Sequence, residues 1–154
     1  MEYNKKELIK NSIDVKYYKF NFWFSLGIFT LYSLPFLFGA LATKLYSLLL
    51  PILLLFVFFC PMIIYYLYRF VSTIKNASSY DFQAVTLDEL HASLLNLIYF
   101  TVSIEINGVV VKKDTKAIFN SSPFSKRNIE NFNQQKCLVA YREGLPDVIV
   151  VKKV

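Results

Sequence analysis

The chain has 154 residues, of which 55% are hydrophobic and 18% charged, and its formal net charge is +6. The two cysteines are too few to build a disulfide framework. Residues 70–154 carry ten cations and eight anions, so the composition excludes a strongly basic tail domain of the kind that binds nucleic acid.

Residues 1–19 predict an amphipathic segment. Ile9, Ile13 and Tyr17 recur at helical spacing, with lysines between them. Two interpretations fit this pattern equally well. One is a helix that lies on the membrane interface and leads into the first span. The other is a plain cytosolic extension of the helix that follows.

Two uncharged runs of 24 residues each follow, at positions 20–43 and 45–68, separated only by Lys44. At about 1.5 Å per residue, each run can cross a hydrocarbon core of roughly 30 Å. They predict a transmembrane helical hairpin with a tight turn at Lys44. We expect the first run to be a span and not a cleaved signal peptide, because it exceeds the usual apolar length and acidic residues precede it.

The distribution of cations predicts the orientation of this hairpin. Five lysines precede the first span, only Lys44 lies between the spans, and Arg69 and Lys75 follow the second. The positive-inside rule therefore places both termini in the cytoplasm, in a multi-pass protein of the cytoplasmic membrane. Neither run contains an ionisable residue at mid-membrane depth, which argues against an ion pathway.

The clearest signal in the tail is a β-hairpin around the Asn-Gly pair at 107–108. Alternating residues precede this pair and three valines follow it. Asn-Gly favours the two-residue turn in which both residues take positive φ. Such a turn sets Ile106 opposite Val109 and Ile104 opposite Val111, on one buried face.

Further strands are predicted at residues 116–119, 138–141 and 148–151. Residues 80–87 favour another strand, although a capping-box pattern would instead favour a helix over residues 86–97. The polar residues 125–135 suit a short helix or an ordered loop. The predicted fold class is therefore α+β: a transmembrane hairpin, then a small, mainly-β cytoplasmic domain at residues 78–154, shaped as a partly open barrel.

The sequence offers no catalytic or metal-binding constellation. His91 has no second group at ligand spacing, and Cys137 has no paired histidine. Cys60 falls inside the second span, so both cysteines are interpreted as reduced and structural. Adjacent Asp88 and Glu89 resemble a solvated edge more than an acid–base pair. We expect no enzymatic activity, no cofactor and no metal.

Five lysines of the tail allow two interpretations; they are Lys112, Lys113, Lys116, Lys152 and Lys153. They could dock the domain against anionic lipid or an acidic partner. They could also protect sheet edges against aggregation, as lysines commonly do on exposed edge strands. We favour edge protection, because any small open sheet needs it.

Two stretches of the tail carry a resemblance, YFTVSIEINGVVVKKDTKAIFN and CLVAYREGLPDVIVVKK. They resemble a loose class of small bacterial membrane proteins in which a transmembrane hairpin precedes a β-domain. A late pattern V-x-Y…P…V-x-V is matched by Val139, Tyr141, Pro146, Val148 and Val150. The polar stretch at 121–135 departs from that pattern. The Lys/Asn/Ile/Phe/Tyr-rich composition is similar to that of low-GC Gram-positive bacteria, where some similar proteins confer immunity to toxins.

The expected function is therefore non-enzymatic binding in the membrane. The resemblance implies an immunity protein that neutralises a membrane-active or secreted toxin. The alternative is an accessory subunit of a membrane transporter or secretion complex. A small pore-former is a third possibility, disfavoured because the spans lack a polar face. The expected partners are membrane lipid and a protein, either a toxin or a membrane complex, and not nucleic acid.

Overall fold

A computed structural model of the chain describes residues 2–92, 97–119 and 133–154. The chain divides into two compact units. One unit joins Met1–Tyr17 to Thr73–Val154, and we call it the barrel unit. The other is Tyr18–Ser72, which we call the hairpin unit.

Two long helices account for the predicted spans. Helix α2 covers Ile13–Thr43 and helix α3 covers Leu49–Lys75, and the 3-10 turn Tyr46–Leu48 lies between them. Lys44 takes a positive φ of 57°, which reverses the chain where the sequence predicted a tight turn. Both helices are long and apolar enough to span a membrane, as the uncharged runs indicated, although each helix extends beyond its run.

Within the hairpin unit, the two helices make sparse side-chain contacts. The rings of Phe29 and Phe56 meet edge to face at 6.3 Å between centroids. The guanidinium of Arg69 lies over the ring of Tyr18 at 5.6 Å, within cation–π range. Ser33 and Ala40, seven residues apart on α2, are buried. Most large apolar side chains of both helices are exposed instead, which a soluble helical core would not show.

The described tail residues form six strands. They are β1 (Asp81–Ala92), β2 (Leu97–Ile106), β3 (Val109–Thr115), β4 (Ile118–Phe119), β5 (Lys136–Tyr141) and β6 (Asp147–Lys153). Five of them follow the order β1-β5-β6-β3-β2, and a pairing of β1 with β2 closes the barrel. The pairs are antiparallel except β3–β6, which is parallel with Asp114 opposite Asp147. This order with one parallel pair is the topology of the OB barrel.

The barrel closes because one long strand serves two neighbours. The first half of β1 pairs with β5 and the second half with β2, and an irregularity between Leu87 and Leu90 bends the strand between them. The backbone of Leu87 stays satisfied there, since it exchanges hydrogen bonds with Gln134 and Gln135. The strand predicted at 80–87 is confirmed. The helix considered for 86–97 is wrong over residues 86–92, which continue β1, and residues 93–96 lie outside the described chain.

The predicted hairpin register is confirmed, but the single buried face is wrong at the tip, where Val109 is 63% exposed and only Ile104 of the four side chains is buried. Ile106 lies opposite Val109 and Ile104 opposite Val111, while Asn107 and Gly108 take φ values of 52° and 80°. The barrel interior is filled by fully buried side chains from several strands, among them Val102, Ile104, Val139 and Val148. Each such aliphatic side chain contributes about 1.5–3 kcal/mol by leaving water.

The remaining strand predictions are confirmed with shifted ends. The strand expected at 116–119 is shortened to β4, and those expected at 138–141 and 148–151 lie within β5 and β6. Of the polar stretch predicted as a helix or loop, residues 125–132 lie outside the described chain. Asn133 and Gln134 form a turn, with Gln134 at a positive φ of 56°.

The N-terminal segment packs within the barrel unit. Helix α1, Glu2–Lys10, contacts the 3-10 turn Ala77–Ser79, and Ile9 is fully buried. The chain then breaks before α2, whose N-terminus is capped by the Ser12 hydroxyl accepting from the Val15 amide at 3.3 Å. The plain extension of the first span is therefore wrong for residues 2–10, whereas residues 13–19 do continue into the span as part of α2. The interpretation as a helix on the membrane interface did not predict that the apolar face of α1 is buried inside the protein.

Candidate functional site

The outer face of β1, β2 and β3 gathers the polar and aromatic side chains that sequence analysis considered separately. His91 stacks on Tyr99 from the neighbouring strand, with ring centroids 5.0 Å apart and an interplanar angle of 21°. Farther along this face, the Thr101 hydroxyl donates to Asp114 at 2.9 Å, and the Ser103 hydroxyl lies 3.4 Å from Asp88. The side chains on this face are thus held by their neighbours.

The charge of this outer face decides which ligands it suits. Asp88, Glu105 and Asp114 are exposed carboxylates there, and Lys112 is the cation opposite Ser103. In OB barrels the face formed by the second and third strands often binds oligonucleotides or oligosaccharides. An excess of carboxylates repels a phosphate backbone, which needs Lys or Arg for its affinity. Among the described residues, this face therefore carries more negative than positive charge.

His91 and Cys137, the residues considered for metal binding and nucleophilic attack, lie on β1 and β5. Among the described residues, no group of three or more His, Cys, Asp or Glu side chains could hold a metal ion. Cys137 is fully buried on β5, and burial raises the pKa of its thiol above the ordinary value, with Lys153 as the smaller, opposing influence. The thiol is thus protonated and shielded, which suits packing and not nucleophilic attack. Cys60 is a free, half-buried cysteine of α3.

Two of the five tail lysines hold the barrel together. The Lys113 ammonium donates hydrogen bonds to the carbonyl oxygens of Arg142 and Leu145, in the turn between β5 and β6. Lys116 pairs with Asp147 at 2.6 Å in a half-buried ion pair. These contacts join the end of β3 to the turn before β6 and to the start of β6, where the two strands pair in parallel. Because β6 pairs with β3 only at Asp114 and Thr115, Lys113 precedes the paired stretch, and edge protection stays a prediction for it.

Sequence analysis missed Asp14, which makes the farthest-reaching contact of the N-terminal segment. Its carboxylate accepts a hydrogen bond from the Val150 amide of β6 at 3.1 Å, and both groups are buried. Nearby in the same unit, the Lys5 ammonium contacts the Asp81 carboxylate and the Tyr80 carbonyl. One local signal existed: Ser12 followed by Asp14 is typical of a helix N-terminus. Nothing in the sequence pointed to β6 as the partner.

The hairpin unit carries an apolar concavity. An open groove of about 530 Å³ lies near the turn between the helices. Its lining is entirely apolar or aromatic: Leu37, Tyr46, Leu49, Leu50, Ile52, Leu53 and Phe56. Such a surface suits an acyl chain or an apolar polypeptide segment and offers no group for chemistry.

Comparison of the chain with models of protein families, with curated proteins and with solved structures finds no match. The fold defines a broad class: two helices long and apolar enough to span a membrane, joined to a five-stranded barrel. Barrels of this topology serve unrelated functions, so the topology alone identifies no ligand.

Proposed function

We propose that this chain is a non-enzymatic membrane protein in which α2 and α3 span the bilayer and the barrel unit binds a partner in the cytoplasm. The exposure of the apolar helix surface carries this proposal. On α3, for example, Leu53 and Leu54 remain 59% and 56% exposed. A continuous exposed apolar surface of this extent is costly in water and costs nothing in hydrocarbon.

The cytoplasmic location of both termini rests on the cations that flank the helices. The segment before the first apolar run carries five lysines, and Arg69 and Lys75 lie near the end of α3. The turn between the helices carries only Lys44. Because Lys and Arg are retained on the cytoplasmic side, this distribution favours a short external turn and an internal barrel unit.

The specific role we propose is immunity, in which the protein engages a membrane-active polypeptide and blocks its insertion or assembly. The resemblance of architecture supports this role. The groove near the turn of the hairpin unit adds a physical reason, because it offers an unfilled apolar surface to a polypeptide that enters the membrane.

The first experiment is affinity purification of the tagged protein from gently solubilised native membranes, followed by mass spectrometry. Recovery of a secreted or membrane-active polypeptide supports immunity. A stable stoichiometric complex with transport or secretion proteins, in cells that have met no toxin, contradicts immunity and supports the accessory-subunit alternative.

A matched pair of variants then tests the groove against the captured polypeptide. Leu53 lines the groove, whereas its neighbour Leu54 is similarly exposed and does not. We expect Leu53→Ala to reduce survival of cells challenged with the polypeptide and Leu54→Ala to leave it unchanged. Equal survival of both variants would exclude the groove as the binding surface.

A further inference from the structure

The tip of the β2–β3 hairpin is the main exposed apolar feature of the barrel unit. Val109 and Val110 are 63% and 70% exposed. The other large apolar side chains exposed among the described residues of this unit are Leu90, at 38%, and the C-terminal Val154. Successive residues of a strand point to opposite faces, so exposure of both valines means that the tip extends beyond the packed interior.

The strand register places this tip at the end of the barrel where the chain arrives from α3. β1 begins at Asp81, and Leu87 lies opposite Val102 in the antiparallel β1–β2 pair. The Gln83 side chain accepts a hydrogen bond from the Glu105 amide at 3.0 Å, which brings the end of β2 beside the start of β1. The turn at 107–108 therefore lies at the β1 entry end.

The connection from α3 to this end is short. Helix α3 ends at Lys75, and its last turn belongs to the barrel unit. Residues 76–80 alone connect it to β1, and five extended residues reach at most about 18 Å. Part of this connection is a 3-10 turn, Ala77–Ser79, which shortens it further. The β1 entry end is thus tethered close to the end of a helix that can span a membrane.

We propose that the hairpin tip, residues 107–110, inserts into the interface of the bilayer that α2 and α3 span. This inference rests on the proposed membrane location of those helices. The two valines supply an uncharged apolar tip, and on the face of Val110 the exposed Lys112 and Glu105 flank it, with Glu105 directly opposite. A protein partner is disfavoured, because two valines fall far short of the roughly 800 Å² per partner that a stable interface buries.

Site-specific fluorescence in vesicles tests this contact. The full chain carrying Cys60→Ala is labelled with an environment-sensitive fluorophore at one introduced cysteine and reconstituted into vesicles containing phosphatidylglycerol. Val110→Cys reports on the tip. Ala92→Cys, exposed at the opposite end of β1, is the aqueous control, and Leu53→Cys on α3 is the membrane control. The Cys60→Ala chain without an added cysteine measures labelling of buried Cys137.

We expect lipid-borne nitroxides to quench the Val110 and Leu53 probes severalfold more than the Ala92 probe, and iodide to show the reverse order. If the Leu53 probe escapes lipid quenching, the proposed membrane location itself fails. If that probe is quenched but the Val110 probe behaves like the Ala92 probe, only the tip insertion is overturned. Shielding of the Val110 probe from both quenchers would indicate contact with protein, which also overturns it.

Discussion

The hairpin unit and the barrel unit use apolar side chains in opposite ways. In the barrel unit, Ile104, Val139 and Val148 point inward and are fully buried. In the hairpin unit, Leu53, Phe58 and most of their neighbours point outward. The proposed membrane location of the helices accounts for this contrast, since water forces apolar groups inward and hydrocarbon does not. Substitutions that exchange these environments should have opposite outcomes in the two units.

The largest effect is expected from a charge placed in the barrel interior. Ile104→Asp buries an unpaired carboxylate and removes a fully buried side chain, so we expect loss of the folded barrel, a destabilisation of several kcal/mol. Val110→Asp on the same hairpin is the matched control, because that position is exposed. Near-UV circular dichroism and limited proteolysis of the full chain in micelles compare the two. A native-like Ile104→Asp barrel would contradict the confirmed register.

A charge on the outer surface of α3 should leave the barrel folded and weaken insertion of the helix into the membrane. Lysine at the centre of a membrane helix costs about 2.5–3.5 kcal/mol of insertion free energy. We therefore expect Leu54→Lys to lower the fraction of protein that resists alkaline extraction from membranes, whereas Leu54→Ile should not. Unchanged extraction of the lysine variant would mean that the exposed surface of α3 does not face hydrocarbon.

An intermediate effect is expected at Asp14. Asp14→Ala leaves the buried Val150 amide without its acceptor, and hydrogen bonds to a charged group contribute about 1.5–3 kcal/mol. We expect a lower urea midpoint for unfolding of the barrel unit in micelles, and a smaller decrease for Asp14→Asn, which keeps an acceptor oxygen. Equal decreases for both variants would mean that the negative charge, and not the hydrogen bond, stabilises the segment.

The features that could be predicted from the sequence are those that short-range patterns specify. The hairpin at 107–108 was predicted in its correct register because the Asn-Gly pair fixes the turn and alternation fixes the faces. The two helices followed from uncharged length alone. Closure of the barrel was not predictable in this way, because the β3–β6 pair and the bend in β1 depend on strands distant in sequence. The same is true of the Asp14–Val150 contact.

On the outer face of the barrel, too, contacts between residues distant in sequence could not be predicted from local patterns. His91 had no partner in the sequence, and its stacking on Tyr99 arises only from the β1–β2 register. Likewise, the sequence indicated no partners for Lys113 and Lys116, which the fold supplies from the turn before β6 and from Asp147 at its start. Residue types predicted which positions are polar. The contacts that give each residue its role depend on strand pairing and became visible only in the fold.

The smallest effect is expected from the thiol buried in the barrel. Burial raises the pKa of Cys137 above its ordinary value of 9.0, with an opposing influence from Lys153, so the folded protein holds this proton more tightly than the unfolded chain does. Above pH 9.0 the unfolded state binds fewer protons, and stability falls as the pH rises toward the folded-state pKa. Below pH 9.0 the stabilising contribution of the thiol is complete.

We therefore expect the difference in unfolding free energy between the natural chain and Cys137→Ala to be constant at neutral pH and to shrink under alkaline conditions. Urea titrations at several pH values measure that difference, and Cys60, present in both proteins, cancels. A difference independent of pH would show that the thiol ionises as readily in the folded barrel as in the unfolded chain, which its complete burial does not allow.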